Sequence, residues 1–291
     1  MTNFPAALPS PAKIADLACD IAVRAATKAK QLRGEGVTVA ASKSTPTDLV
    51  TEADRATEAF VRDELARLRP GDGFFGEESG EQASTTGLTW VVDPIDGTVN
   101  YTYDIPAWAT SIGVVYAAGP AEPETWTPYA GVVVNPNLHE IWRASHGGGA
   151  ELIRYSIDDG TYHHHSRELL HLAGPRELAT SLVATGFAYD ADVRVDQARQ
   201  VLALIDKAAD IRRFGAASLD LVGVAAGRVH AYFEKGLHPF DHAAGALIAR
   251  EAGAIVGGPG RGRENFELTY AIHPGLAAEF LDVLSEIGLP V

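Results

Sequence analysis

The spacing of apolar positions changes several times along the chain, and each change predicts a different element. Near the start, Ser10-Pro11 places a capping hydroxyl before a proline suited to the first helical position. Ile14, Leu17, Ala18, Ile21, Ala22 and Ala25 then recur at three and four, which predicts an amphipathic helix to about Leu32, ended by Gly34 and Gly36. A polar connection that starts at Lys43 leads into a second helix over about 51–68, with Ala56, Ala59, Phe60, Leu65 and Leu68 on one face. Thr51 and Asp54 have capping-box spacing, so Asp54 reads as the first-turn acid of that helix. Pro70-Gly71-Asp72-Gly73 predicts a turn, residues 74–79 a short strand ending on acids, and residues 80–87 a polar loop.

Trp90-Val91-Val92 is a short apolar run of the kind that forms a buried strand. Further strands are expected over 109–117, 130–135 and 139–145, separated by proline-rich connections, of which 117–130 is the longest. Gly147-Gly148-Gly149 has no following Lys-Ser/Thr and is therefore not a phosphate loop; it is expected to let two strands pass closely, with Asp159-Gly160 turning a hairpin afterwards. From residue 168 strand and helix alternate: strands over 181–186, 229–233 and 268–272, and helices over 196–209, 217–226, 240–252 and 275–287. An antiparallel first half and a mixed α/β second half give an α+β chain of layered sheets and helices. It is expected to form a single domain over 1–291 with two lobes, about 10–165 and 166–291.

Composition narrows the function. With 46% hydrophobic and 21% charged residues the 291-residue chain is ordinary for a globular protein, but 24 basic against 38 acidic residues leave a net charge of −14. That balance repels nucleic-acid backbones and anionic membranes, and it admits an anionic substrate only where cations neutralise the site. A single cysteine, Cys19, excludes a disulfide framework and a cysteine-based zinc site. No apolar run approaches the roughly 18 residues of a membrane span, and the first ten residues lack a signal-peptide pattern, so a cytoplasmic location is expected. His163-His164-His165 lie where neighbouring side chains alternate faces, and they are expected to face solvent.

The chemistry concentrates where the Trp90-Val91-Val92 run ends. Asp93 is followed by Pro94, which removes a backbone donor, and Asp96-Gly97-Thr98 then makes a turn of small residues. Two acids at the end of a buried strand repel unless a cation lies between them, and rigid oxygen ligands suit Mg²⁺. Backbone N–H groups at Gly97 and Thr98 are placed to meet phosphate if a helix starts there. An ordinary Asp-rich turn has the same spacing, so the motif alone leaves both readings open. Glu77 and Asp241 likewise stand at element ends beside small residues or turns, and Glu234 closes a strand.

Five segments in order carry a resemblance. D-L-V-T-E-A-D at 48–54, G-E-E-S at 76–79, D-P-I-D-G-T-V-N-Y at 93–101, R-R-F-G-A-A-S-L-D at 212–220 and F-D-H-A-A-G-A-L-I-A-R-E-A-G at 240–253 resemble the signatures of the inositol monophosphatase family, within the lithium-sensitive, metal-dependent phosphatases that include fructose-1,6-bisphosphatase. The resemblance implies a layered αβαβα sandwich of the sugar-phosphatase type and two to three Mg²⁺ per site. It implies that Glu77, Asp93 and the Ile95 carbonyl hold a first Mg²⁺. Asp93, Asp96 and Asp241 would hold a second, and Glu77 would touch a third. It further implies that Thr98, oriented by Asp54, activates water. The Gly97 and Thr98 amides would bind phosphate, and Glu234 with the Gly215-Ala216-Ala217 turn would contact the substrate. One departure is Phe240, which stands where the family has tryptophan. The implied activity is hydrolysis of a small polyol phosphate, myo-inositol 1-phosphate first, with lithium inhibition and a homodimer. Histidinol phosphate, fructose 1,6-bisphosphate and a 3′,5′-bisphosphate nucleotide are the alternatives on the same site. A regulatory protein of the transcription machinery is the alternative of another class.

Overall fold

The structure is a computed structural model that describes residues 4–37, 39–42, 49–158, 161–174 and 176–291. Lys43, the polar connection after it and the Asp159-Gly160 turn lie outside the described residues. The chain runs α1 (Pro11–Glu35), β1 (Val39–Ser42), β2 (Leu49–Thr51), α2 (Glu52–Leu68), β3 (Gly73–Gly76), β4 (Gly80–Gln82), β5 (Leu88–Asp96) and α3 (Thr98–Thr102). It continues through β6 (Ala109–Tyr116), β7 (Thr127–Asn135), β8 (Glu140–Ser145), β9 (Gly149–Asp158) and β10 (Thr161–Leu170). The remainder is β11 (Leu182–Thr185), α4 (Ala191–Leu204), β12 (Asp210–Arg212), α5 (Ala217–Ala225), β13 (Ala231–Glu234), α6 (Pro239–Glu251), β14 (Ile255–Gly257), β15 (Thr269–Ile272) and α7 (Ala277–Glu286).

Two large sheets alternate with three helical layers, the αβαβα order that was expected, and β1 and β2 form a small antiparallel pair of their own. The first sheet has eight strands in the order β10-β9-β8-β7-β6-β5-β3-β4 and is antiparallel except for the parallel pair β3 and β5. The second is mixed, β12-β11-β13-β15-β14, with β11 parallel to both of its neighbours. On one face of the first sheet, Ile14, Ala18, Ile21, Ala22 and Ala25 of α1 bury against Trp90, Val92, Val114, Val132 and Ile153. On the other face lie α5 and α6, which also meet Ala184, Tyr232 and Ala271 of the second sheet. Phe280, Leu281 and Leu284 of α7 cover the far side of that sheet. Among the described residues no helix is long and apolar enough to cross a membrane.

The seating of α6 is a matter of side-chain size. Gly113 and Gly131 are register partners on β6 and β7, and a Cβ on either would stand 2.8 Å from Ala243 or Ala244 of α6. The Ala243-Ala244 pair therefore lies directly on the glycine pair, and Gly245 leaves the same kind of room for Leu221 of α5. This close contact sets how far Asp241, in the first turn of α6, projects from the sheet.

Several expectations are corrected. Residues 80–82 form β4 rather than loop, because they pair antiparallel with β3. The buried face of α2 is Asp54, Thr57, Glu58, Val61 and Leu65, while Ala59 and Leu68 are exposed; the apolar count misplaced a face whose polar members are buried beside the sheet and the site. Helix α4 starts at Ala191 rather than Asp196, since Asp190 caps the N–H groups of Asp192 and Val193. Gly147 and Gly149 take left-handed φ of 68° and 79° in the β8–β9 turn, where the Glu251 carboxylate accepts both of their N–H groups. His163, His164 and His165 are exposed on β10, as expected.

Candidate active site

Strand β5 is buried along its whole length and ends in the acids. Successive strand side chains alternate faces, so residues three apart, such as Asp93 and Asp96, point in opposite directions in a regular strand. Here they do not. Asp93 pairs with Ser111 and Asp96 with Ala109, so three steps on β5 match two on β6, and the extra residue is a bulge at Pro94-Ile95. Proline suits that place because it has no N–H to lose from the ladder, and its freed carbonyl accepts the Thr110 hydroxyl at 2.9 Å. The bulge turns both carboxylates toward the middle helical layer. Gly97 then reverses the chain at φ 91°, where a Cβ would also lie 3.1 Å from the Ala107 carbonyl and from Ala216.

Asp241 arrives from α6, its carboxylate accepting the His238 N–H at 2.6 Å. One ligand oxygen from each of Asp93, Asp96 and Asp241 falls within 4.8 Å of the others. Asp96 also caps α5, accepting the Ala217 N–H at 3.2 Å, the Ser218 N–H at 2.6 Å and the Ser218 hydroxyl. Asp93 accepts the Ile95 N–H at 3.0 Å. Glu77 stands on the turn after β3, its N–H donating to the Val92 carbonyl at 3.2 Å, and its carboxyl is paired with Asp93. Behind that turn the buried Glu58 accepts the Glu78 N–H at 2.8 Å.

No lysine or arginine pairs with Asp93, Asp96 or Asp241 among the described residues. Burial, followed by the charges of Glu77, Asp96 and Asp241, raises Asp93 well above the usual carboxylate range. Burial raises Asp96, against the opposing hydrogen bonds from Ser218 and Ala217. Burial, then Asp96 and Glu77, raises Asp241 well above its ordinary value. Crowded acids of this kind, with oxygen ligands on rigid elements, fit a hard divalent cation.

Around this cluster opens a cleft of about 930 Å³ lined by Glu77, Asp93, Ile95, Asp96, Gly97, Thr98, Ala216, Ala217, Glu234 and Asp241. Asp54 is not in its lining but stands behind it: the Thr98 hydroxyl is 3.2 Å from Asp54 Oδ1 and 3.1 Å from the Ile95 carbonyl, and can donate to either. Asp54 also completes the capping box of α2 with Thr51, so the capping role and the contact with Thr98 coexist. Burial pushes Asp54 up to about 6. Glu234 accepts the Tyr232 hydroxyl at 2.7 Å and is pushed by burial to about 7.

The sequence profile of the inositol monophosphatase family matches residues 10–284. The chain belongs to that family. It is 39% identical over 294 residues to an inositol-1-monophosphatase of Mycobacterium bovis, covering 96% of this chain and 95% of that relative. It is 37% identical over 262 residues to the Nus factor SuhB of Escherichia coli K12, covering 88% of this chain and 90% of the relative. The solved structure of Mycobacterium tuberculosis SuhB superposes with a TM-score of 0.77 at 36% identity, covering 98% of this chain and all of that one. As an inositol monophosphatase family member, the chain is a phosphatase.

Two features of this family member answer questions that the sequence raised. Phe240 packs edge-on to Phe75 (6.3 Å, 88°) and stacks on His238 (5.4 Å, 23°), so an aromatic wedge is kept beside Asp241 without an indole donor. The 117–130 connection brings Trp126 into the same apolar cluster with Val91, Val115 and Ala243. Arg263 clamps that connection by donating to the carbonyls of Pro123, at 3.3 Å, and Trp126. Sequence reasoning missed Ser218 and Tyr232 as partners of site acids, and Glu58 as the acceptor behind the turn that carries Glu77. Glu58 was legible in principle, since Asp54, Glu58, Val61 and Leu65 follow the helical period.

Proposed function

We propose that this phosphatase is a Mg²⁺-dependent phosphomonoesterase of the cytoplasm that hydrolyses a small polyol phosphate, myo-inositol 1-phosphate first, as a lithium-sensitive homodimer. The observation that carries the reading is the convergence of Asp93, Asp96 and Asp241 within 4.8 Å, with no lysine or arginine paired to them among the described residues. Glu77, Asp93 and the Ile95 carbonyl would hold one Mg²⁺ and Asp93, Asp96 and Asp241 a second, with Glu77 reaching a third. Bound there, the ions supply the charge that screens the phosphate and lower the pKa of a water.

The chain's own residues do the rest. Thr98 spends its single hydroxyl proton on Asp54 or Ile95, which leaves its oxygen lone pairs to accept a hydrogen bond and align a water. Asp54, pushed up to about 6, is ionised at pH 7.5 and keeps that proton turned away from the cleft. The Gly97 and Thr98 amides would receive phosphate oxygens. Glu234 would accept substrate hydroxyls beside Ala216 and Ala217. The same site would serve histidinol phosphate, fructose 1,6-bisphosphate or a 3′,5′-bisphosphate nucleotide, because the motifs recognise the phosphate and not the alcohol.

Phosphate release from these four esters, with Mg²⁺ and with EDTA, beside an Asp93→Asn variant, tests the reading. Metal-dependent release that is lost in the variant supports it; silence across the panel in folded, Mg²⁺-supplied protein overturns it. A second reading, a regulatory protein of the transcription machinery, is favoured by the likeness to the E. coli Nus factor SuhB. The intact set of carboxylates argues against a purely non-catalytic role.

A further inference from the structure

The two adjacent arginines before α5 have different fates. Arg212 donates to Asp210 at 2.5 Å and to the Ile211 carbonyl at 2.9 Å, so its guanidinium is engaged on its own strand. Arg213 lines the cleft and, among the described residues, forms no ion pair and no hydrogen bond. We infer that Arg213 binds substrate as a pair with Glu234: the guanidinium donates to, and the carboxylate accepts from, hydroxyls of one uncharged alcohol. The cleft thereby selects a phosphomonoester with several hydroxyls and no second anionic group. This rests on the phosphomonoesterase reading above and deepens it by naming a specificity-determining residue.

The place of Arg213 is set by the turn that follows it. A Cβ on Gly215, where φ is 87°, would run into Arg213 Nη1 and stand 3.0 Å from Asn100 Nδ2. The bare glycine therefore lets the guanidinium lie against the turn. Asn100 holds that turn by donating to the Phe214 and Ala107 carbonyls, at 2.7 Å each. The Gly215 carbonyl faces Gly97, since a Cβ there would be 3.1 Å from it. Arg213 is thus seated beside the backbone proposed to receive the phosphate, with a fork of N–H donors and no partner in the chain.

Glu234 complements it. The carboxylate lies against Gly186, where a Cβ would run into both of its oxygens. Oε2 accepts the Tyr232 hydroxyl at 2.7 Å, which leaves Oε1 for a substrate hydroxyl. Burial raises Asp96, Asp220 and Glu234, and the Arg213 charge opposes that rise at all three, so the guanidinium acts on both the metal-site cluster and Glu234. Beyond the metal-site acids, the ionisable lining is Asp190, Glu234 and Glu267 with Arg213, Lys235 and His238, and apolar side chains are interspersed. Three acids outnumber the lysine and the arginine, which gives a second phosphate no net attraction. Donors and acceptors side by side suit neutral hydroxyls, which can both give and take a hydrogen bond.

The test compares wild type with Arg213→Ala, at an exposed position, in Mg²⁺ at pH 8. The esters are myo-inositol 1-phosphate, fructose 1,6-bisphosphate and 4-nitrophenyl phosphate, whose alcohol part carries no further hydroxyl. The variant is expected to raise KM for inositol 1-phosphate about tenfold while kcat stays within about threefold, and to leave kcat/KM for the nitrophenyl ester within about twofold. Fructose 1,6-bisphosphate should lose no more than inositol 1-phosphate does. Equal loss on the inositol and nitrophenyl esters would make Arg213 a phosphate contact, and a larger loss on the bisphosphate would make it a second-anion site. Either result overturns the inference, as do a loss carried by kcat, no change with any ester, or release confined to the other two esters; all leave the phosphatase reading standing. No Mg²⁺-dependent release from any ester overturns both.

Discussion

Buried acids occur in two settings in this molecule, and their neighbours differ. Away from the cleft several have a guanidinium: Glu151 sits between Arg143 and Arg167, Glu140 between Arg228 and Arg154 at 2.6 and 3.6 Å, and Glu264 against Arg250. In the cleft, Asp93, Asp96 and Asp241 have backbone N–H groups, one hydroxyl, the Glu77 carboxyl and each other. Glu264 and Asp93 are similarly buried, at 5% and 2% exposure, yet their acidities move in opposite directions. For Glu264 burial pushes upward, but Arg250 and its other partners outweigh it and hold the group below its ordinary value. For Asp93 burial and neighbouring acids push the same way. The arginine-paired acids tie neighbouring segments together, whereas the acid cluster of the cleft could hold a cation.

The sharpest way to break this comparison is to neutralise one acid of each kind. Asp93→Asn is expected to reduce Mg²⁺-dependent phosphate release by at least about 10³-fold, since this carboxylate would serve two ions. It should also raise the melting temperature of the metal-free protein by removing one charge from a crowded site, and abolish the stabilisation by added Mg²⁺. Glu264→Gln should do the opposite to stability, costing about 1–3 kcal/mol in urea unfolding because the half-buried Arg250 loses its charged partner. If both variants lose stability alike, the contrast between the two settings fails.

Acidity sharpens the same point. Asp54 rises from 3.8 to about 6 and Glu234 from 4.5 to about 7, so the folded protein holds protons that the unfolded chain has released. Their contribution to stability is full below about pH 4 and is lost as pH climbs through 6 and 7. Metal-free protein should therefore melt at lower temperature at pH 8 than at pH 5, with Asp54 alone contributing on the order of 3 kcal/mol. Glu234→Gln should flatten the upper part of that curve. Glu264, shifted downward, has the reverse sign: its contribution is present above about pH 4.5 and is lost in acid.

The smallest expected effect belongs to Glu58→Gln. It keeps an acceptor for the Glu78 N–H but weakens that bond, loosening the turn that carries Glu77. A rise of about three- to tenfold in the Mg²⁺ concentration for half-maximal activity, with kcat nearly kept, is the outcome to look for. An unchanged Mg²⁺ dependence would show that Glu58 does not govern the turn.

Much of this was readable from residue order. Capping and period marked α1 and α6, turn chemistry marked Gly97, and the acids of the cluster stood at element ends in recognisable motifs. Less was readable where local signals compete. Asp190 and Asp196 are equally good caps for α4 by residue type, and only the contacts of the helix choose between them. The β9–β10 hairpin was not anticipated in full, because β10 is an edge strand whose residues 163–169 are exposed and carry no apolar alternation.

By itself the sequence determined which acids are available, which glycine turns the chain after β5, and which small residues let α6 approach a sheet. These are properties of side-chain size, charge and short-range spacing. Only the tertiary structure decided that Asp93 and Asp96 share a face, because the extra residue at Pro94-Ile95 exists only in the register with β6. Only the seating of Ala243-Ala244 on Gly113 and Gly131 brought Asp241 to them from late in the chain. Contacts between faces distant in sequence depend on how whole elements pack, and no local spacing carries that information.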